Sequence, residues 1–500
     1  DAAAEGVKIP VARLQVSGAH VYAPEQLVAL TGFRPGSELT LPELRAMAET
    51  IAAHYRGHGY FAAQAYLPTQ DVLDGVVTIA VLEGHYGQII VRNGSKLNDA
   101  LVRRELNGVN SGDVIAIAPL ESRLLRLSDL PGVNVRSTLA PGAGPGLSDL
   151  VVDVEPGALV SGSVDADNAG NRYTGENRIG ATVNLNNLAG LGDRASLRVL
   201  TSGSGLNYAR ASYEVQVGRG AIGLAYSRLG YELGREFESL GAHGSARVAS
   251  VYGSYPLIRS RNANLYASLA YDDKTYRDIV DANASVADKK ARVLSASLYG
   301  DERDNFLGAG AGAYSLTLSS GALDLQTAAL RAQDQAGPRA NGHFNKLGFS
   351  AMRLQSLTPA VSLYAALNGQ LAGKNLDVSE KMELGGVNGV RAYPEGEAYG
   401  DSGYVLSLEA RLLLPKFSPR MPGQVQLFAF ADTGSVKIDQ QPWTAGPNRR
   451  SLSGAGFGLT WSESNNFMVK LAYAHKLGGE PALSAPDKGG RLWIQAVKYF

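Results

Sequence analysis

Residues 157–500 alternate apolar and polar side chains in one short segment after another, and this pattern constrains the fold more than any other sequence feature. Each segment has about ten residues, the length with which a tilted strand crosses a bilayer. There are sixteen of them, and an even number is what a closed antiparallel barrel of one bacterial chain requires. The sequence therefore predicts a membrane all-β fold, with strands near 159–167, 179–186, 194–202, 209–217, 220–230, 245–257, 262–273, 291–301, 311–320, 343–355, 361–372, 404–414, 424–433, 451–461, 466–475 and 491–500.

The connections between these segments support the membrane barrel. A short one, Pro256–Asn262, contrasts with the long polar stretches Asp273–Lys290 and Lys437–Arg450, and this asymmetry is typical of turns on one side and loops on the other. Tyr473 and Trp493 lie near strand ends, where we expect them to belong to interfacial aromatic girdles. A large soluble all-β domain would also alternate, but so long a run of hairpins is too much sheet for one sandwich core.

The first part of the chain has a different period. Residues 8–84 are predicted to form a strand, two helices and two strands, and residues 85–156 repeat that order after a short tail at 1–7. The second helix of the first unit is expected to begin after Thr40 as its N-cap, and a strand is expected over Phe61–Leu67. In each unit the helices must cover one face of a three-stranded sheet. An edge strand is then free to pair with an extended chain.

Composition excludes several classes of protein. The 47 basic and 47 acidic residues balance, so the chain has no overall nucleic-acid footprint. Cysteine is absent, which excludes disulfides and thiolate metal sites. No apolar run is long enough for a transmembrane helix, and the first residues are not a signal peptide. The chain is either cytosolic or numbered from a mature or trimmed N-terminus.

One connection is unusually long and rich in glycine. Gly385–Gly403 reads GGVNGVRAYPEGEAYGDSG, and long connections of this kind are functional or disordered. On the later strand Gln424–Asp432, every second residue from Val425 to Ala431 is apolar and suits lipid, so Asp432 is predicted to face the lumen. A loop folded into the barrel would bring Arg391 to that carboxylate. In a wet lumen we expect the bond to contribute only about 1–2 kcal/mol.

Three stretches together resemble the two-partner secretion transporters (the TpsB family), which export haemagglutinins, haemolysins and contact-dependent toxins. Gly59–Gly84 is similar to the end of that family's first POTRA domain, and Val390–Tyr393 is similar to its VRGY loop. Phe428–Gly434, reading FAFADTG, is similar to the inner-wall strand whose aspartate faces that loop. Ala392 departs from the family's glycine, and few residues precede the first strand, so a family-type N-terminal plug helix is expected to be absent here or trimmed away.

The resemblance implies an outer-membrane pore of sixteen strands with two periplasmic POTRA domains, POTRA 1 at 8–84 and POTRA 2 at 85–156. It implies translocation of an unfolded partner exoprotein to the cell surface without nucleotide hydrolysis, and no enzyme activity. The implied site is a loop latch with its inner-wall partners, namely Val390, Arg391 and Tyr393 with Asp432, Gly434, Phe428 and Phe430. The expected partners are a secreted TpsA-type exoprotein, outer-membrane lipid and lipopolysaccharide, with no nucleic acid, cofactor or metal, and a monomeric state.

Alternatives remain from the sequence alone. A barrel insertase of the same superfamily and a plain diffusion channel would share the fold. The Arg391–Asp432 pair could also be an ordinary structural bridge. Protease motifs are incomplete, because Tyr404 follows Asp401-Ser402-Gly403 where a serine protease has glycine, and His54 lies on a helical pattern.

Overall fold

The computed structural model describes residues 6–500, which form two compact units that divide after Gly157. Residues 1–5, most of the predicted tail, lie outside the described residues. The sequence-derived domain bounds remain predictions.

The first unit contains two copies of one β-α-α-β-β arrangement, each with its own hydrophobic core. The three-stranded sheets have the orders β2-β5-β4 and β6-β8-β7, and in both the first strand pairs in parallel with the last. The repeat predicted from the sequence is therefore present. The elements are β1 Ile9–Val11, β2 Arg13–Ser17, α1 Pro24–Leu30, β3 Ser37–Leu39, α2 Leu41–Gly57, β4 Gln64–Tyr66, β5 Val76–Leu82, β6 His85–Asn93, α3 Asp99–Glu105, α4 Ile117–Ser128, β7 Val133–Pro141 and β8 Leu147–Pro156.

Helix α2 starts where the sequence predicts, because Thr40 and Glu43 cap each other's backbone in a capping box. Two details of this unit differ from expectation. The strand predicted over Phe61–Leu67 is reduced to β4, because a turn occupies its first residues. The short pair of β1 with β3 was not predicted, since three-residue strands carry too little alternation to be recognised.

The second unit is a closed barrel of sixteen antiparallel strands, which confirms the predicted fold class. No helix in residues 6–500 is long and apolar enough to span a membrane. Between β19 and β22 lie two strands of two residues each, β20 Met382–Glu383 and β21 Tyr399–Gly400, which are not part of the barrel. Helix α5 spans Ala328–Ala336. The barrel strands are β9 Val160–Asp167, β10 Arg178–Asn186, β11 Arg194–Thr201, β12 Leu206–Val217, β13 Gly220–Glu232, β14 Ala242–Arg259, β15 Ala263–Val280, β16 Ser285–Asp304, β17 Gly310–Leu325, β18 Gly342–Ser356, β19 Val361–Ala372, β22 Ser402–Leu413, β23 Gln424–Lys437, β24 Arg449–Glu463, β25 Phe467–Lys476 and β26 Gly490–Tyr499.

One predicted connection is wrong. Asp273–Lys290 was expected to be a long polar loop, but β15 continues to Val280 and β16 begins at Ser285, with only a tight connection between them. The reason is physical. Beyond a bilayer both faces of a strand meet water, so the apolar alternation stops while the hydrogen-bonded ladder continues. We call the end of the barrel at which β9 begins the near end and the opposite end the far end.

A buried carboxylate holds the first copy of the β-α-α-β-β unit together. Glu83 follows β5, is almost inaccessible, and accepts hydrogen bonds from the backbone N–H groups of His20 and Val21 and from the Tyr55 hydroxyl at 2.6–2.8 Å. Burial alone would raise the pKa of Glu83, but these donors outweigh it and lower that pKa below the ordinary value. Burial and the adjacent Glu83 raise the pKa of Tyr55, so its hydroxyl keeps its proton and donates.

We predict that Glu83→Gln destabilises a fragment covering residues 1–157 by about 2 kcal/mol at pH 7, because charged acceptors form the stronger hydrogen bonds. The lowered pKa means that the wild-type advantage is complete above pH 4.5 and is lost as the pH falls through the folded-state pKa. Urea unfolding at pH 7 and pH 3 measures both effects. Glu49→Gln, at an exposed site on α2, is the control, and equal loss of stability in both variants would contradict the assignment.

Candidate functional site

A long connection between β19 and β22 folds back into the barrel, and we call residues 373–401 the inner loop. Its two arms pair as β20 with β21, and the Leu384 N–H continues the ladder to the Ala398 carbonyl at 3.0 Å. The tip closes on itself through the Val390 N–H, which donates to the Leu384 carbonyl at 2.9 Å. The predicted bounds 385–403 were too narrow at the start and too wide at the end, because β22 already begins at Ser402.

Arg391 at the tip meets the predicted partner Asp432 on β23. Nε donates to Asp432 Oδ2 at 2.8 Å and Nη2 donates to Oδ1 at 2.7 Å, so the pair is bidentate. The Arg391 backbone N–H adds a third bond to Oδ2 at 3.1 Å. The loop's backbone and side chain are therefore both fixed to one carboxylate.

A second carboxylate completes the site, and the sequence analysis missed it. Arg391 Nη1 donates to Glu409 Oε1 at 2.7 Å, while the other Glu409 oxygen accepts from Arg411 at 2.6 Å. Both acids come from neighbouring strands, β22 and β23. The available signal was the alternation on β22, where Leu408 and Leu412 face outward and place Glu409 inward with Arg411.

Aromatic side chains enclose the same guanidinium. Its Cζ atom lies 3.5 Å from the centroid of the Phe430 ring, a cation–π contact. Trp493 on β26 donates its indole N–H to the Arg391 carbonyl at 2.7 Å. The prediction that Trp493 belongs to a lipid-facing girdle is therefore wrong. Its exposed neighbours Leu492 and Ile494 take the outward positions, so parity places Trp493 inside.

The other predicted site residues lie around this centre. Tyr393 is fully buried, donates its hydroxyl to the Glu480 carbonyl at 3.0 Å and carries Lys476 over its ring at 4.8 Å. Val390 belongs to the same apolar cluster as Phe428. Gly434 on the wall leaves room for a loop leucine, because an added Cβ there would collide with Leu384. The structure thus brings all seven predicted residues to one region of the lumen.

The strand next to Asp432, β24, has glycine at positions that face the inner loop and the Phe430 ring. Gly454 on β24 pairs directly with Asp432, and a Cβ added to Gly454 would collide with the Cβ of Ala392. Two positions along, Gly456 gives the same room to the Phe430 ring. The alanine that departs from the family's loop motif is therefore accommodated by a wall position without a side chain.

The Arg391–Asp432 bond was expected to lie in a wet lumen, and this is wrong. Arg391 is only 5% exposed and the Asp432 side chain is fully buried. Removing one partner of a buried, hydrogen-bonded pair costs about 3–5 kcal/mol, because the other charge is left uncompensated. The anchor is accordingly stronger than an exposed salt bridge.

Further ionic anchors hold the inner loop, and none of them was predicted. Near its start, Glu380 binds Lys274 of β15 and Lys346 of β18 at 2.7 and 2.8 Å. Near its end, the buried Glu397 binds Arg450 and accepts the backbone N–H of Ser484 at 2.8 Å. Because these partners are distant in sequence, no local pattern could have paired them.

The protease-like residues have structural roles in the described chain. The Asp401 carboxylate accepts the backbone N–H groups of Leu376 and Gln440 at 3.0 and 2.7 Å. The Ser402 hydroxyl accepts the Ala372 N–H at 2.9 Å. Across residues 6–500, no cluster of three or more His, Asp or Glu side chains is arranged to hold a metal ion.

Comparison with known proteins gives consistent matches. The family model of the haemolysin secretion/activation proteins ShlB/FhaC/HecB matches residues 146–461, and a POTRA domain of the ShlB type matches residues 9–84. A heme/hemopexin transporter protein, HuxB, of Haemophilus influenzae strain 86-028NP is 29% identical over 93% of this chain and 82% of its own length. The outer membrane transporter CdiB of Dickeya dadantii is 25% identical over 73% of the chain and 65% of its own. The solved CdiB structure from Escherichia coli has a TM-score of 0.78 at 22% identity, over 100% of this chain and 92% of that one.

We predict that Gly454→Ala unseats the tip of the inner loop, because the new methyl group occupies the position of the Ala392 methyl. Arg391 is buried in the wild type, and we expect trypsin cleavage after it to rise at least about tenfold in this variant. The reason is that the collision destabilises the packed position of the tip by several kcal/mol. The double variant Ala392→Gly/Gly454→Ala should restore protection by exchanging the two positions. Gly479→Ala, where an added Cβ has open space, is the control. Equal cleavage of the single and double variants would argue against this contact.

Proposed function

The chain belongs to the family of haemolysin secretion/activation proteins ShlB/FhaC/HecB, and from that premise we propose that its inner loop is the latch of the export pore. The protein is a two-partner secretion transporter of the bacterial outer membrane and exports a partner protein to the cell surface. Its POTRA region lies in the periplasm. The near end of the barrel then faces the periplasm and the far end faces outward.

The proposal depends chiefly on one observation: the inner loop is attached to opposite walls of the lumen. Its tip is bonded to β22, β23 and β26, and its first part is bonded to β15. β15 is the seventh and β26 the sixteenth strand of a sixteen-stranded closed barrel, so these anchors lie nearly across the pore. A passenger chain cannot occupy the same space, and export therefore requires the loop to shift.

We further propose that the passenger crosses unfolded and that its folding outside drives export without nucleotide hydrolysis. The two β-α-α-β-β units, taken as POTRA 1 and POTRA 2 with the predicted bounds, would capture it. β4 is a short edge strand of its sheet, and its exposed residue Tyr66 offers side-chain contact next to free backbone groups. Strand addition at such an edge suits an extended passenger. In this proposal the protein is a monomer without enzymatic activity.

The identity of the passenger is a separate proposal. HuxB is named a heme/hemopexin transporter protein, and its similarity covers 93% of this chain. A haem-scavenging exoprotein is therefore the first candidate, ahead of an adhesin, a haemolysin or a contact-dependent toxin. Proteomic comparison of culture media with and without the transporter gene would test it. The loss of one large protein that binds haem is the expected result.

We predict that Arg391→Ala and Asp432→Ala each reduce export at least about tenfold. Each change leaves one buried charge uncompensated and so destabilises the docked position of the latch by several kcal/mol. The double variant should be less impaired than the sum of the two single effects. Arg353→Gln, which removes a cross-strand ion pair with Asp304 outside the latch, is the control. Heat-modifiable electrophoretic mobility checks barrel assembly, and normal secretion by both single variants would remove the latch from the mechanism.

We also predict that deleting residues 1–156 abolishes export but preserves conductance in planar bilayers, because the barrel closes with its own strands. A diffusion channel would keep its physiological function after this deletion. An insertase of the same superfamily would show a different defect, since its depletion lowers the amounts of many outer-membrane proteins. Measuring the abundance of unrelated outer-membrane proteins alongside export separates these three functions.

A further inference from the structure

The outward face of β13–β16 changes from apolar to basic toward the far end. One row of residues directly opposite each other is apolar and exposed, consisting of Leu224, Val251, Tyr271 and Leu294. Four residues further toward the far end on β13 and β14, the outward positions are Arg228 and Arg247, and Lys290 holds the matching position on β16. We call Arg228, Arg247 and Lys290 the basic row.

The register of the sheet places the basic row in a line. Arg228 pairs with Arg247, Arg247 with Thr275, and Thr275 with Lys290, each on the adjacent strand. Directly opposite residues share one face of a sheet, and strands lie about 4.8 Å apart. The row therefore spans about 14 Å over three strand spacings.

The charges of the basic row are not compensated within the described chain. Like charges directly opposite each other destabilise a sheet, and no ion pair or side-chain hydrogen bond in residues 6–500 involves any of the three. The neighbouring outward cations behave differently: Arg292 lies 3.9 Å from Asp273 and Arg277 lies 3.7 Å from Asp288. Asp324 on β17 lies directly opposite Lys290 and faces outward, but no ion pair joins the two side chains. The row therefore keeps a local excess of positive charge, which is greatest at Arg228 and Arg247.

Two apolar grooves lie on the outer wall, one beside Arg228 and one closer to the near end. One, of about 650 Å³, has Arg228 at its margin and is lined on its outward side by Val164, Ile179, Ala181, Val199 and Ala209. The other, of about 610 Å³, is lined by residues that include Ile222, Val251, Leu269 and Tyr271. The outward Tyr226 lies two residues before Arg228 on β13, and tyrosines in this position mark the depth at which lipid headgroups begin.

We propose that the basic row binds the phosphate groups of lipopolysaccharide, with an acyl chain of that lipid in the groove beside Arg228. Arginine forms bidentate bonds to phosphate, and the far end faces the leaflet that holds this glycolipid. A row of three cations about 14 Å long matches a lipid with more than one phosphate better than a phospholipid with one. This inference rests on the proposed function for the outward orientation of the far end, deepens the expected contact with outer-membrane lipid and lipopolysaccharide, and is independent of the latch.

The test uses the purified full chain in detergent with lipopolysaccharide as the probe. The row variant Arg228→Gln/Arg247→Gln/Lys290→Gln is compared with Arg219→Gln/Lys416→Gln/Arg420→Gln, which removes the same charge from exposed turns at the near end. We expect the row variant to bind lipopolysaccharide about tenfold or more weakly, and the control variant to bind as the wild type does. Dephosphorylated lipopolysaccharide should bind the wild type as weakly as the intact lipid binds the row variant.

Equal lipopolysaccharide binding by wild type, row variant and control variant would overturn the proposal. So would binding of phosphatidylglycerol or inorganic phosphate at the same strength as lipopolysaccharide, because the site would then recognise a single phosphate from another source. Export is measured on the same variants. If the row variant binds the lipid normally and exports normally, the lipid site is refuted and the transport function is unaffected. If every variant binds the lipid normally but the row variant loses export, the lipid site is also refuted, and these residues serve transport in another way.

Discussion

The structure of the lumen depends on burying one positive charge. A guanidinium cannot lose its proton in a protein, so Arg391 must be satisfied by hydrogen bonds wherever it is placed. Asp432 and Glu409 supply the opposite charge, and the Phe430 ring covers one face. The Trp493 indole N–H donates to the Arg391 backbone carbonyl. Each of these contacts requires that the contacting residue points into the lumen, which decides which alternate residues of its strand face inward. The inward faces of β22, β23 and β26 therefore all depend on this one side chain.

An ionic anchor suits a loop that must move. Apolar residues of similar volume could hold the tip as tightly as a buried ion pair, because desolvation offsets much of the attraction. The two designs differ once the tip is released. Water then stabilises the separated charges of Arg391 and Asp432, whereas released apolar surface would remain unfavourable in a hydrated pore. The same argument applies to Glu380 with Lys274 at the start of the inner loop.

The features that could be predicted from the sequence were those that leave a short-range pattern of residues. Sixteen strands and the inward direction of Asp432 followed from alternation, and the helix start followed from Thr40 as an N-cap with Pro42 and Glu43 in the first turn. Trp493 was misassigned because proximity to a strand end was given more weight than parity. Glu397 was missed because its partners lie on β24 and in the loop after β25, and a single sequence carries no local sign of such long-range pairing.

The long hairpins of β14–β17 show why the wrongly predicted loop matters. Where the apolar alternation ends, β15 still has two faces with separate requirements. Inside, Lys274 reaches Glu380 and holds the inner loop. Outside, the neighbouring position Asp273 is paired with Arg292 next to the basic row. A flexible loop could present neither side chain at a fixed height. Extending the hydrogen-bonded ladder beyond the apolar band therefore gives one pair of strands an anchor for the latch on its inner face and an ordered polar surface on its outer face.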